Sequence, residues 1–169
     1  TVFYYNLIIG ISLFLILFLS ANAIARFYNK PELINITKVM AINFIINSFG
    51  QTQRTILIKK IDFKLKTKIS VVASIVSGII GILMAFTGWG VWSLVFRTLS
   101  SNILNIVMLW IWNKWLPSMI FSKKSFVELF SFGFKFFISG LINTIYLNVY
   151  LLIIGKFFSA SDLGYYTRA

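Results

Sequence analysis

The sequence predicts an all-α polytopic membrane protein of about five transmembrane helices, and three observations predict it. Hydrophobic residues fill 59% of the 169 positions and charged residues only 12%, with a mean hydropathy of +0.87. That leaves too few polar groups to cover a water-soluble globule. The apolar residues gather into five runs, each long enough to cross a bilayer as a helix at ~1.5 Å per residue. Uninterrupted apolar segments such as Leu13 to Leu19 lack the in-out alternation of barrel strands, which excludes the β alternative.

The first run, Val2 to Ala25, carries no charge and reads as scaffold or lipid face. The second, about Ile34 to Ile58, is the most polar. Pro31 stands at its start, where a missing N–H costs nothing. Its Asn43, Asn47, Gly50, Gln51 and Arg54 cluster on one side. The third, Ile69 to Phe86, bears a stripe of small residues (Ser70, Ser74, Ser77, Gly78, Gly81, Ala85), with small-xxx-small pairs at Ser74/Gly78 and Ser77/Gly81 that predict close helix packing. The fourth, Trp89 to Trp112, places Arg97 about 12 Å from its Trp89 end at ~1.5 Å rise. Its four-residue spacing aligns Ser93, Arg97, Ser101 and Asn105. The fifth, about Phe132 to Ile154, sets Lys135, Ser139, Asn143, Tyr146 and Tyr150 within about 80° of arc at ~100° per residue. Trp89, Trp92, Trp110, Trp112 and Trp115 cluster near the two ends of the fourth run, as an aromatic belt at the membrane interfaces does.

The net charge of +12 does not predict a nucleic-acid partner, because most basic residues fall between the runs rather than on one soluble face. The connection between the second and third runs holds Arg54, Lys59, Lys60, Lys64, Lys66 and Lys68 against Asp62. The one between the fourth and fifth holds Lys114, Lys123 and Lys124 against Glu128, and Thr87-Gly88 holds none. The positive-inside rule then places the two basic connections in the cytoplasm. Arg26, Lys30 and Lys38, with Lys156 and Arg168 in the tail, fall outside.

Three polar faces suit a bundle around a watery cavity, or interhelical hydrogen bonding without one. A basic side chain deep in a span costs from ~2.5 to more than 10 kcal/mol unless it faces water or a partner. The acids, Glu32, Asp62, Glu128 and Asp162, all lie in connections or at run ends. Arg97, with Lys135 and Arg54 nearer the cytoplasm, therefore predicts a positive interior that attracts anions, and an arginine fork suits phosphate. Ser101, Asn105, Asn143 and Asn47 complete the candidate substrate-binding set. Snorkelling to headgroups, or a carboxylate elsewhere in a longer protein, are the competing readings for the cations. With neither Cys nor His, zinc and Ser-His-Asp chemistry are excluded within this chain, and no catalytic residue, metal or cofactor is expected.

The stretches ARFYNKPEL (25–33), INSFGQTQRTILIKKIDFK (46–64), GWGVWSLV (88–95) and FGFKFFISGLINTIYLNVYLLIIGKFFSASDLGYYTRA (132–169) resemble the bacterial Wzx-type polysaccharide flippases. These belong to the exporter superfamily that also holds the multidrug MATE transporters and the lipid II flippase. The resemblance implies an internal piece of a two-lobed, MATE-like transporter of twelve to fourteen helices. Residues 1–131 would be the second half of the N-terminal lobe and residues 132–169 the start of the C-terminal lobe. Ile154 to Tyr166 would form the loop that ends the first helix of a lobe. The implied activity is transport of an undecaprenyl-pyrophosphate-linked oligosaccharide across the bacterial cytoplasmic membrane by alternating access. The implied partners are that lipid-linked oligosaccharide, membrane lipids and other polysaccharide-assembly proteins. A cation-coupled multidrug or other lipid exporter is the alternative, and would want an intramembrane carboxylate. A membrane polymerase or ligase would want a large outer loop, and the outer connections here are short.

Overall fold

A computed structural model describes residues 1–113, 116–117, 122–158, 164 and 166–167, with backbone alone at 125 and 129. Lys114, Trp115, Asp162, Arg168 and residues 159–163 and 165 of the anticipated loop lie outside the described residues. Five helices follow in order: α1 (Val2–Tyr28), α2 (Leu33–Lys59), α3 (Phe63–Phe86), α4 (Val91–Asn113) and α5 (Lys123–Phe157). All five are long and apolar enough to cross a membrane. The all-helical expectation and its five spans are borne out.

Three short turns make α1 to α4 an up-and-down series. The α1–α2 turn closes on Asn29 in the left-handed region (φ 55°), with the Lys30 N–H bonded to the Ala25 carbonyl. Asn tolerates that conformation because its short polar side chain bonds locally. The α2–α3 turn has the same backbone bond, Asp62 N–H to Leu57 carbonyl at 3.0 Å, but places Ile61 at φ 58°. A β-branched residue there is costly. Asp62 then caps α3, its carboxylate accepting from the Leu65 N–H at 3.0 Å.

Two helices start earlier than the apolar runs. The third run suggests a start at Ile69, yet α3 begins at Phe63, because the Asp62 cap continues the helix through Lys64, Lys66 and Lys68. The fifth suggests Phe132, yet α5 begins at Lys123. In both, the extra turns are basic helix at the end where the anticipated loops lay. Pro31, expected in the first turn of α2, precedes the Glu32 cap and accepts a bond from Ile34 N–H in the turn.

Helix α2 is the hub, touching α1, α3 and α4, while α1 pairs with α2 and α3 with α4. Glycine allows three of these approaches, α1–α2, α2–α4 and α3–α4. A Cβ at Gly10 would sit 2.6 Å from the Ser48 Cβ and 2.8 Å from the Phe44 carbonyl oxygen; at Gly50, 2.7 Å from Ile106 Cγ1; at Gly81, 3.0 Å from Arg97 Cβ. The small-residue stripe of α3 is thus divided. Ser77 and Gly81 are buried against α4, whereas nothing lies within 4 Å of a Cβ placed on Gly78. Leu57, Ile69 and Leu109 form a small apolar core at the basic end, where α2, α3 and α4 meet.

Helix α5 stands apart. Among the described residues it touches α1 alone, and the two run parallel: Tyr5 meets Phe126 edge-on at 5.5 Å near their starts, and Lys156 donates to the Phe27 carbonyl near their ends. The tryptophans divide as well. Trp112 lies under Lys68, 4.8 Å from its ammonium, as an interfacial ring does, while Trp110 turns inward and donates to the Phe49 carbonyl at 3.2 Å.

Gly81→Leu should cost the full-length protein about 1–3 kcal/mol through overpacking, whereas Gly78→Leu should be tolerated. Membrane-inserted yield and thermal midpoint of the purified protein read both, and equal loss at the two positions would contradict the divided stripe. Ile61→Asn should raise the thermal midpoint by relieving about 1 kcal/mol of left-handed strain; an unchanged or lower midpoint would show that the turn relaxes around isoleucine.

Candidate functional site

The polar residues of α2 are spent in two ways. Along the seam with α4 they are glue. Asn102 of α4 donates to the Asn43 Oδ1 at 2.8 Å, and nearer the basic end Asn113, the last residue of α4, donates to the Gln53 Oε1 at 2.5 Å. Gln53 is wholly buried. Interhelical carboxamide bonds of this kind are worth roughly 0.6–2 kcal/mol each in a membrane. Asn6 of α1 adds a longer bond to Thr52 Oγ1 at 3.4 Å.

Beside that seam, at the basic end, α2 also borders an opening. Arg54, Lys66, Ser70 and Asn105, with Ile69 and Leu109, line a cleft of about 210 Å³ between α2, α3 and α4. Each helix brings its residue there for a local reason. Arg54 is half-buried, and its guanidinium donates to the Asn47 Oδ1 at 3.1 Å, about two turns further up the same face of α2. Asn47 is itself held by a bond from its Nδ2 to the Asn43 carbonyl at 2.9 Å. Lys66 and Ser70 stand four apart on α3, which puts them on one side. Asn105 is fixed on α4 by its bond to the Ser101 carbonyl at 2.8 Å.

No carboxylate lines this cleft. Two cations face a space of about seven water volumes at ~30 Å³ each, so the uncompensated field is positive, and a small anion with several acceptor oxygens fits the donors. A fork on Arg54 can bind two oxygens while Lys66 acts as a point charge. Asn47 also borders a second cleft, of about 160 Å³, with Asn6, Ser48 and Gln51 between α1 and α2.

The remaining candidates lie elsewhere. Arg97 lays the start of its side chain across Gly81 of α3 and is exposed, with no ion-pair partner among the described residues. Along α4 it is about 12 Å from Asn105 at ~1.5 Å per residue. Ser101 is partly buried on the same helix, and Ser93 is buried with its hydroxyl donating to the Gly90 carbonyl at 2.7 Å. Lys135 and Asn143 are exposed on α5, away from α2 and α4. Of the sequence candidates the structure brings Arg54 and Asn105 to one cleft, with Asn47 bonded to Arg54 behind it, and it adds Lys66 and Ser70, which the sequence analysis did not place among them. Lys66 looked like loop; the Asp62 cap three residues before Leu65 was the signal that it belongs to a helix.

Comparison with known proteins agrees with the family resemblance. The whole chain aligns with the teichuronic acid biosynthesis protein TuaB of Bacillus subtilis at 29% identity over 171 residues, covering 35% of that protein. It aligns likewise with the succinoglycan biosynthesis transport protein ExoT of Rhizobium meliloti at 25% over 169 residues, covering 34%, and with the amylovoran biosynthesis protein AmsL of Erwinia amylovora at 28% over 179 residues, covering 44%. The chain thus spans between a third and a half of the length of these relatives. No solved structure matches it. Residues 1–169 match, end to end, the family described as polysaccharide biosynthesis protein, and this multi-pass membrane chain belongs to that family.

Proposed function

We propose that the protein to which these helices belong is a transporter, not an enzyme, and that it moves an undecaprenyl-pyrophosphate-linked oligosaccharide from the inner to the outer leaflet of the bacterial cytoplasmic membrane. One observation carries this reading: a cationic cleft without carboxylates, built by Arg54, Lys66 and Asn105 at the basic end of the bundle. By the positive-inside rule that end faces the cytoplasm, where a lipid-linked substrate is loaded. The pyrophosphate is the part of such a substrate that cannot cross hydrocarbon unaided, and it is what the cleft's donors fit. The names of relatives that act in teichuronic acid, succinoglycan and amylovoran biosynthesis support the same class of cargo.

Arg97 extends the reading. It lies nearer the opposite end of α4 and, like Arg54, has no carboxylate beside it, so it offers a second positive station on the path. Sugar hydroxyls would meet carboxamides and hydroxyls such as Asn6, Asn47, Ser48 and Gln51 in the neighbouring cleft. Lys135 and Asn143 join this path once the lobe begun by α5 closes against the first. No bond is made or broken in such a cycle, which agrees with spans lacking His, Cys and interior acids.

Complementation of surface-polysaccharide assembly in a flippase-deficient strain, with membrane protein levels measured in parallel, tests the site. R54A and R97A should each lower polysaccharide about tenfold or more at unchanged protein level, and R54K should keep part of the activity because a point charge remains while the fork is lost. Normal polysaccharide with R54A at normal expression sinks the anion-site reading. Orientation is tested separately: in intact cells, single cysteines at Lys60 and Lys123 should be shielded from an impermeant thiol reagent and one at Gly88 labelled, and labelling at Lys60 would invert the topology.

A further inference from the structure

At the end of the bundle opposite the cationic cleft lies a larger, open groove that the transport reading does not use. It measures about 410 Å³ and is lined by the exposed Asn22, Arg26, Asn29, Lys30 and Pro31, with Ala25 and Ile34 at its base, where α1 ends and α2 begins. Asn22 and Arg26 stand four apart on α1 and share a face; Asn29 and Lys30 follow in the turn. Its polar wall is thus two cations and two carboxamides, with no carboxylate. Glu32, the nearest acid in sequence, does not line it. Neither Arg26 nor Lys30 has an ion-pair partner among the described residues.

Three further observations point the same way. Three carbonyl oxygens at the end of α1, which would repel an anion, are committed elsewhere: the Phe27 oxygen to Lys156, the Arg26 oxygen to the Asn29 N–H, and the Ala25 oxygen to the Lys30 N–H. The first turn of α2 supplies Ile34 to the wall, so the positive end of that helix's dipole offsets the negative end of α1's dipole at the same place. Finally, these basic residues stand on the side where the positive-inside rule disfavours them. On the proposed topology, orientation in the membrane therefore does not account for these two charges.

We infer that this groove is a phosphoryl-headgroup site at the outer membrane surface, separate from the Arg54 cleft. A phosphate or diphosphate carried on a lipid places its charge at the interface, level with the end of α1, and offers the acceptor oxygens that Arg26, Lys30, Asn22 and Asn29 require. Two sources share this chemistry: the diphosphate of a carrier lipid arriving in the outer leaflet, and the headgroup of an anionic phospholipid. The assignment of side rests on the topology proposed above; the groove and its chemistry do not.

The test uses the full-length protein carrying R54Q, so that the cleft at the other end contributes little, and titrates it with inorganic pyrophosphate in an uncharged detergent. Adding R26Q and K30Q should weaken binding about tenfold and flatten its salt dependence, since two charge contacts are removed. Equal affinity with and without these two substitutions overturns the inference. If the triple variant fails to accumulate, R26K/K30R in the same background must bind like R54Q alone while R26Q alone binds more weakly; any other ordering overturns it too. Repeating the titration in nanodiscs of phosphatidylcholine, with or without phosphatidylglycerol, separates the sources. Loss of pyrophosphate affinity with phosphatidylglycerol assigns the groove to bilayer headgroups, and no loss assigns it to the carrier's diphosphate. A failure here leaves the R54A complementation result untouched, so the two readings fall independently.

Discussion

Carboxamide pairing across the α2–α4 seam is the contact on which the rest of the bundle depends. Between helices in hydrocarbon there is no hydrophobic driving force, because lipid tails are as apolar as the side chains they would release. What remains is close packing and the need to satisfy polar groups, each costing several kcal/mol when left unpaired. Asn102 with Asn43 and Asn113 with Gln53 meet that need and join the α1–α2 hairpin to the α3–α4 hairpin. Without them Gln53, wholly buried, would lack this side-chain partner on α4. Gly50 against Ile106 closes the seam sterically, so the register of α4 on α2 is set both by hydrogen bonds and by shape.

That seam also positions the cleft. Asn43 accepts from Asn102 and its carbonyl holds Asn47, which in turn orients the Arg54 guanidinium. The arginine is therefore aimed by a chain of neutral groups and not by a carboxylate. The difference matters chemically. A carboxylate partner would neutralise the fork, whereas a carboxamide fixes its direction and leaves its charge available to a ligand.

The architecture was largely legible in the sequence because hydropathy in long runs answers to one dominant constraint, the thickness of the hydrocarbon layer. The starts of α3 and α5 were not, since Lys64, Lys66, Lys68, Lys123 and Lys124 read as loop to a hydropathy criterion, while a helix leaving the membrane has no reason to stop at the interface. The site was legible in part. Four-residue spacing put Asn47 and Arg54 on one face of α2 and Asn105 on a polar face of α4, which is local geometry. That Arg54 would share a cleft with Lys66 depends on how α3 packs across the turn at Ile61, and no spacing within one helix encodes that. For the same reason Gly78 and Gly81 looked equivalent in sequence, although only Gly81 meets a neighbour, the stem of Arg97.

The distribution of charge follows from this division of labour. Cohesion is supplied by neutral groups, carboxamides and glycine contacts, and among the described residues the acids stay clear of both cationic linings: Glu32 and Asp62 stand at the starts of α2 and α3, and Glu128 in the early turns of α5. An arginine left without a carboxylate in such a setting raises the free energy of the empty protein. An anion that enters offsets that cost and the protein without it does not, so the interaction is specific to the loaded state and its strength grows as water is excluded. A carboxylate in the same place would stabilise the empty bundle instead and make the anion compete for the fork. The absence of acids from the lining of both the Arg54 cleft and the Arg26 groove thus has one physical consequence at each end of the bundle: the positive charge is held in position by neutral neighbours and is left for a negatively charged ligand to neutralise.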